Sequence, residues 1–150
     1  MKIEKEIQQD EFVNEFHKAH LNILTTASWL NTKTAEILKP YDITWQQFNI
    51  LRILKGMSPQ PASVKLLTSR MIDKMSNASR LVEKLRQKEY VIRVEDVLDR
   101  RKVQITLTKK GNDMLVEFSA KVDASMHENQ WNLTLKEAKL LFAEFLLPAL

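Results

Sequence analysis

Apolar side chains recur every three or four positions along most of this chain, the spacing that lines one face of an α-helix. Phe12, Phe16, Ala19, Ile23, Ala27, Leu30 and Ile37 form one such stripe, predicting a long helix from about residue 10 to residue 38 that ends before Pro40, which cannot continue it. The stretch ITWQQF at 43–48 predicts the start of a second helix, with Thr44 and Gln47 forming a capping box and Ile43 stapled onto Phe48. This helix should run from about 45 to Lys55, with Gly56, Pro59 and Pro61 punctuating its end. A short third helix then passes through Val64, Leu67 and Met71.

A fourth helix is predicted within MIDKMSNASRLVEKLRQKEY, capped by Asp73 or Ser76. At 100° per residue, Ala78, Leu81, Val82 and Leu85 fall within one arc of about 100° that faces the core. The opposite arc carries Ser76, Ser79, Arg80, Glu83 and Lys84, with Asn77 on its flank. Short polar side chains near a helix start, followed by long basic ones, suit entry into a DNA major groove; an ordinary solvated face would carry the same residues. After Tyr90 the period becomes two, through VIRVE and then Lys102 to Leu107, so an antiparallel hairpin is expected. Thr108 should cap a fifth helix bearing Leu115, Phe118, Val122 and Met126, and the capping box Thr134 to Glu137 should open a sixth.

In this sixth helix, Leu140, Leu141, Phe142, Phe145, Leu146 and Leu147 leave little polar surface, so a partner subunit is the expected cover. The predicted fold class is therefore mainly α with a small β-hairpin wing: a winged helix-turn-helix with six helices, dimerising through its N- and C-terminal helices. The 150 residues suffice for one core and are few for two, so a single domain is expected. With no cysteine, thiolate metal sites, disulfides and thiol switches are excluded. The longest apolar run, LLFAEFLLPAL, is too short to span a bilayer, and MKIEKEIQQDEF lacks a signal-peptide core, so a cytoplasmic location without membrane association is expected.

The net charge of +4 becomes informative once it is located. Residues 63–110 hold 13 Lys and Arg against 6 Asp and Glu, whereas the remainder holds 10 against 13, so the basicity lies in one third of the chain. Such a patch attracts phosphate backbones, although a solvated basic face gives similar counts. The chain has no Gly-rich phosphate loop, nucleophile elbow or cysteine nucleophile, so no enzyme activity is expected. His17, His20 and His127 show no metal-ligand spacing, and neither a metal nor a cofactor is expected. His17 or His20 with Trp29 and Trp45 are candidates to line a ligand pocket, but core filling is the preferred reading for both indoles.

The segment DVLDRRKVQITLTKKG resembles the wing of the MarR (multiple antibiotic resistance regulator) family, whose signature is met at Asp99, Arg101, Leu107, Thr108 and Gly111. SNASRLVEKL at 76–85 is similar to that family's recognition helix. The resemblance covers nearly the whole chain and implies a MarR-type domain with a DNA-binding lobe at 43–107 and dimerisation helices at 1–40 and 108–150. It implies a homodimeric transcriptional regulator, expected to act as a repressor, docking on double-stranded DNA at a pseudo-palindromic operator and released by a small amphipathic or phenolic effector. Lys74, Ser76, Asn77, Ser79, Arg80 and Lys84 would then meet DNA from the recognition helix. On the wing, Arg101 would enter the minor groove oriented by Asp99, while Arg100 and Lys102 would contact phosphates. The family's Pro-rich wing tip is replaced by Glu95, Asp96, Val97 and Leu98. The alternative is a winged helix that binds another protein without sequence-specific DNA recognition.

Overall fold

The computed structural model describes residues 3–95 and 103–128, together with Lys136. Among these residues the order is α1 (Ile3–Glu6), α2 (Glu15–Leu38), a 3-10 turn (Lys39–Tyr41), α3 (Trp45–Met57), α4 (Val64–Arg70), α5 (Ala78–Gln87), β1 (Val91–Glu95), β2 (Val103–Leu107) and α6 (Lys109–Glu128). This is a mainly helical winged helix-turn-helix. The predicted sixth helix, with its capping box at 134–137, lies outside the described residues, as does the wing tip at 96–102.

The first long helix begins at Glu15 rather than near residue 10, because the Asn14 side chain accepts the His17 backbone N–H at 2.9 Å and sets the N-cap there. Phe12 precedes the helix and meets the His17 ring edge-on at 6.1 Å. The short α1 is too brief to show a period in the sequence; a Glu4–Lys18 ion pair of 2.6 Å ties it to α2. At the other end, Asp42 takes a left-handed conformation (φ 51°) and reverses the chain into α3.

The capping box at α3 forms as predicted: Gln47 N–H donates to Thr44 Oγ1 at 3.3 Å and Thr44 N–H to Gln47 Oε1 at 2.8 Å. Helix α3 continues through Gly56 to Met57, past the expected end at Lys55. Its buried face, Phe48, Ile50, Leu51 and Leu54, packs with Leu67, Val82, Leu85, Ile105 and Phe118 into one core. The Phe48 and Phe118 rings, 4.1 Å apart, fasten α6 to the lobe.

β1 and β2 pair antiparallel from Val91 opposite Leu107 to Glu95 opposite Val103. Ala62 adds a third, one-residue rung, exchanging two 2.9 Å backbone hydrogen bonds with Ile105. This rung sits between Pro61 and Ser63 and is too short to leave an alternating pattern. Behind the sheet, Thr108 Oγ1 accepts the Gly111 N–H at 2.9 Å, and Thr108 N–H donates to the Tyr90 carbonyl at 3.1 Å. The Leu-Thr and Gly of the wing signature therefore form the joint between hairpin and α6.

Candidate nucleic-acid interface

Helix α5 buries Ala78, Val82 and Leu85 and half-buries Leu81, the arc expected from its sequence. Its N-cap is neither Asp73 nor Ser76 but Asn77, whose Oδ1 accepts the Arg80 N–H at 3.0 Å. Asp73 and Ser76 instead build the turn before the helix. Asp73 accepts the Met75 N–H at 3.0 Å and the Ser76 hydroxyl at 2.6 Å. These two bonds, the Ser76 hydroxyl first, hold the Asp73 carboxyl below its ordinary range, with a further contribution from the Gln46 side chain.

The turn is also anchored from inside the lobe. Asn49, a buried polar residue on α3, accepts the Ile72 N–H at 3.0 Å. Neither Asn49 nor Gln46 was singled out by the sequence, although a polar residue between Phe48 and Ile50 on a buried helix is the available signal. With its backbone bound inward, the turn leaves Lys74 and Met75 exposed, and the Lys74 ammonium bends back to the Ser69 carbonyl.

On the outer side of α5, Ser79, Arg80 and Lys84 are exposed. Glu83 is engaged by Arg86 at 2.7 Å and by Arg93 of β1 at 3.8 Å; the Arg86 hydrogen bonds chiefly hold its carboxyl below the usual range. These pairs occupy Arg86 and Arg93, whereas Arg80 makes no ion pair among the described residues. The C-terminal end of the helix is clasped to the 3-10 turn that follows α2: Lys88 reaches Asp42 Oδ2 at 2.6 Å and also bonds the Asp42 carbonyl. This clasp depresses the Asp42 carboxyl and links the long helix to α5. Asp99, Arg100, Arg101 and Lys102 lie outside the described residues, in the sequence between β1 and β2.

The residues expected to line a ligand pocket are dispersed. Trp29, expected to fill the core, is instead 41% exposed on α2 and lines a shallow groove of about 440 Å³ with Leu24 and Thr25. Trp45 packs against the Phe48 ring at 5.7 Å, in keeping with the core-filling reading, while His17 sits beside Phe12 and His20 is exposed. A second groove of about 400 Å³, lined by Ala35, Glu36, Asp42 and Ile43, contains none of the four. Neither of these grooves brings the four together within one chain. Among the described residues there is no cluster of metal-ligating side chains and no helix long and apolar enough to cross a membrane.

A short helix, a braced turn, a second helix with an exposed cationic side and a hairpin closing the sheet define a winged helix-turn-helix of the DNA-binding class. The pattern of the MarR family matches residues 43–103. The chain is 30% identical over 109 residues to the HTH-type transcriptional regulator SarZ of Staphylococcus aureus, covering 71% of this chain and 69% of that protein. This chain belongs to the MarR family of transcriptional regulators, whose members are not enzymes. The fold is shared with an E. coli MarR mutant complexed with operator DNA (TM-score 0.74, 23% identity, 90% of this chain and 96% of that one). It is shared as well with an organohalide-sensing transcriptional regulator in a 2,4-dichlorophenol-bound form (TM-score 0.79, 17% identity, 88% and 78%).

Proposed function

We propose that this protein is a cytoplasmic homodimeric repressor that binds a pseudo-palindromic operator and is released by a small phenolic or similarly amphipathic ligand. The observation that carries this reading is the exposed cationic side of α5, with Ser79, Arg80 and Lys84 opposite an arc buried in the core. The lobe at 43–107 meets DNA, and the segments 1–40 and 108–150 dimerise. Support for the dimer comes from α2, where Phe16, Ala19, Ile23 and Ala27 are exposed on one face of the helix, with Leu24 flanking them. A water-facing apolar stripe calls for a partner, and two copies place two reading helices on one duplex.

In this reading α5 enters the major groove by its N-terminal end, where Asn77 and Ser79 permit close approach and Arg80 meets base edges or phosphates. Lys74 and Lys84 contact the backbone, and Ser76 acts by fixing the turn. Arg101 enters the minor groove oriented by Asp99, with Arg100 and Lys102 on phosphates. The operator-bound E. coli protein of the same fold supports the DNA role, and the dichlorophenol-bound regulator supports a phenolic effector. A bound effector would act where α2 meets the lobe, close to the Asp42–Lys88 clasp.

Selection of bound sequences from a random DNA pool tests the assignment. Enrichment of two inverted half-sites about one helical turn apart is the expected result. Binding should weaken with salt with a log-log slope of roughly −5 to −9, as for six to ten phosphates neutralised. Absence of any saturable shift at low salt would instead favour a protein-binding winged helix. Arg101→Ala should cost about 1–3 kcal/mol and flatten discrimination at one operator position.

A further inference from the structure

Met75 is 94% exposed, and Ile72 beside it is 69% exposed. Both lie on the turn between α4 and α5, at the entrance of the reading helix. An apolar side chain in water gains nothing from that position, yet the turn is held firmly in this arrangement. Asp73 accepts the Met75 N–H, the Ser76 hydroxyl closes the same carboxylate, Asn49 holds the Ile72 N–H, and Asn77 caps the helix that follows. The residues that share its exposure are Ile72, Lys74, Asn77, Ser79 and Arg80, so Met75 and Ile72 form a two-residue apolar point in an otherwise polar, cationic setting rather than an extended greasy patch. A protein partner with an apolar groove would find only these two side chains to bury there.

We propose that Met75 is a specificity-determining residue that packs against the C5-methyl group of a thymine in the major groove. This rests on the DNA-binding reading above. The thymine methyl is the apolar feature of the major-groove edges, and cationic neighbours on phosphates would bring the side chain to it. A thioether on an unbranched stem adapts to the shape of a base edge. The contact reads thymine against cytosine at a position that Arg80, a hydrogen-bond donor, does not distinguish in this way.

The test uses the full-length protein and a DNA site selected from a random pool, with each thymine replaced singly by deoxyuridine, which lacks only the methyl. For the wild-type protein, one thymine per half-site should be sensitive, with affinity falling about fourfold. That factor corresponds to the ~0.8 kcal/mol of one buried methyl-sized group, at about 1.4 kcal/mol per tenfold. Met75→Ala should lose affinity on the thymine site and become indifferent to uracil at that position, with an unchanged thermal unfolding midpoint. Sequence-specific binding by wild type with no uracil-sensitive thymine overturns the contact and leaves the DNA-binding reading standing. Full uracil sensitivity retained by Met75→Ala overturns the contact equally. If wild type binds no DNA saturably, both readings fail together.

Discussion

At Gly111 an added Cβ would lie inside contact distance of the Tyr90 carbonyl oxygen and 3.0 Å from Leu107 Cδ1. The glycine is needed for close approach of α6 to the hairpin, not for an unusual backbone angle. Gly111→Ala should therefore destabilise the protein by about 1–3 kcal/mol, the range for overpacking a well-filled site. Urea unfolding should show a lower midpoint at constant m-value; an unchanged midpoint would mean that the backbone yields freely. Asn49 is the counterpart inside the lobe, a buried amide whose oxygen meets one backbone N–H of the turn. Replacing it with Leu would leave the Ile72 N–H without that acceptor, at a cost of about 1–3 kcal/mol. Its effect should also reach DNA binding, because the same turn presents Lys74 and Met75.

Between α4 and α5 the turn behaves as an element in its own right, although it has no regular structure. Its carboxylate, Asp73, has a depressed folded-state pKa caused first by the Ser76 hydroxyl and then by the Met75 N–H. The stabilisation is thus fully present above the unfolded value of about 3.9 and is lost as pH falls through the lower folded value. Between about pH 7 and pH 5 the turn should stay intact, and amide exchange at Met75, corrected for intrinsic pH dependence, should show constant protection there. Loss of protection already at pH 5 would show that another group holds the turn. Helix α3 depends similarly on its capping box. Thr44→Ala removes the side-chain acceptor for the Gln47 N–H and should cost about 1 kcal/mol, read as a lower unfolding temperature.

Across the whole molecule, two unlike surfaces coexist on one small chain. The lobe presents cations, while α2 presents Phe16, 87% exposed, with Ile23 and Leu24 beyond it and Val13 just before the helix. In the proposed homodimer the apolar stripe is covered by its copy, and DNA meets the cationic side of both lobes. Phe16→Glu should then raise the dimer dissociation constant by at least about 30-fold, the effect of losing an aromatic anchor worth about 2 kcal/mol. Sedimentation equilibrium checks this, and an unchanged mass distribution would remove Phe16 from the interface. The lobe is tied to the long helix at the 3-10 turn that follows α2. There Asp42 holds Lys88 at the base of α5, and Lys121 of α6 bonds the Tyr41 hydroxyl at 2.8 Å. The Lys121 ammonium is pushed up to about 12 by Glu117 first and Tyr41 second, so it remains charged across the physiological range.

Local pattern determined the helix periods, the capping box at Thr44, the buried arc of α5, the alternation in both strands and the basic third of the chain. These are legible because each depends on neighbours within about one or two helical turns, where spacing alone sets which side chains share a face. The family likeness was legible in Asp99, Arg101, Leu107, Thr108 and Gly111. Contacts distant in sequence had to await the tertiary fold. Only the fold pairs Ala62 with Ile105, brings Tyr90 against Gly111, seats Ile72 on Asn49 and joins Lys88 to Asp42. The same limit explains the displaced N-cap of α5: Asp73, Ser76 and Asn77 all suit a cap, but the Asp73 and Ser76 side chains are engaged with each other in a turn that Asn49 holds from inside the lobe, and Asn77 caps the helix. Sequence thus assigned the faces of the elements, because periodicity is local. Tertiary structure decided which of the exposed residues stand at the mouth of the reading helix, because that depends on where distant backbone groups find their partners.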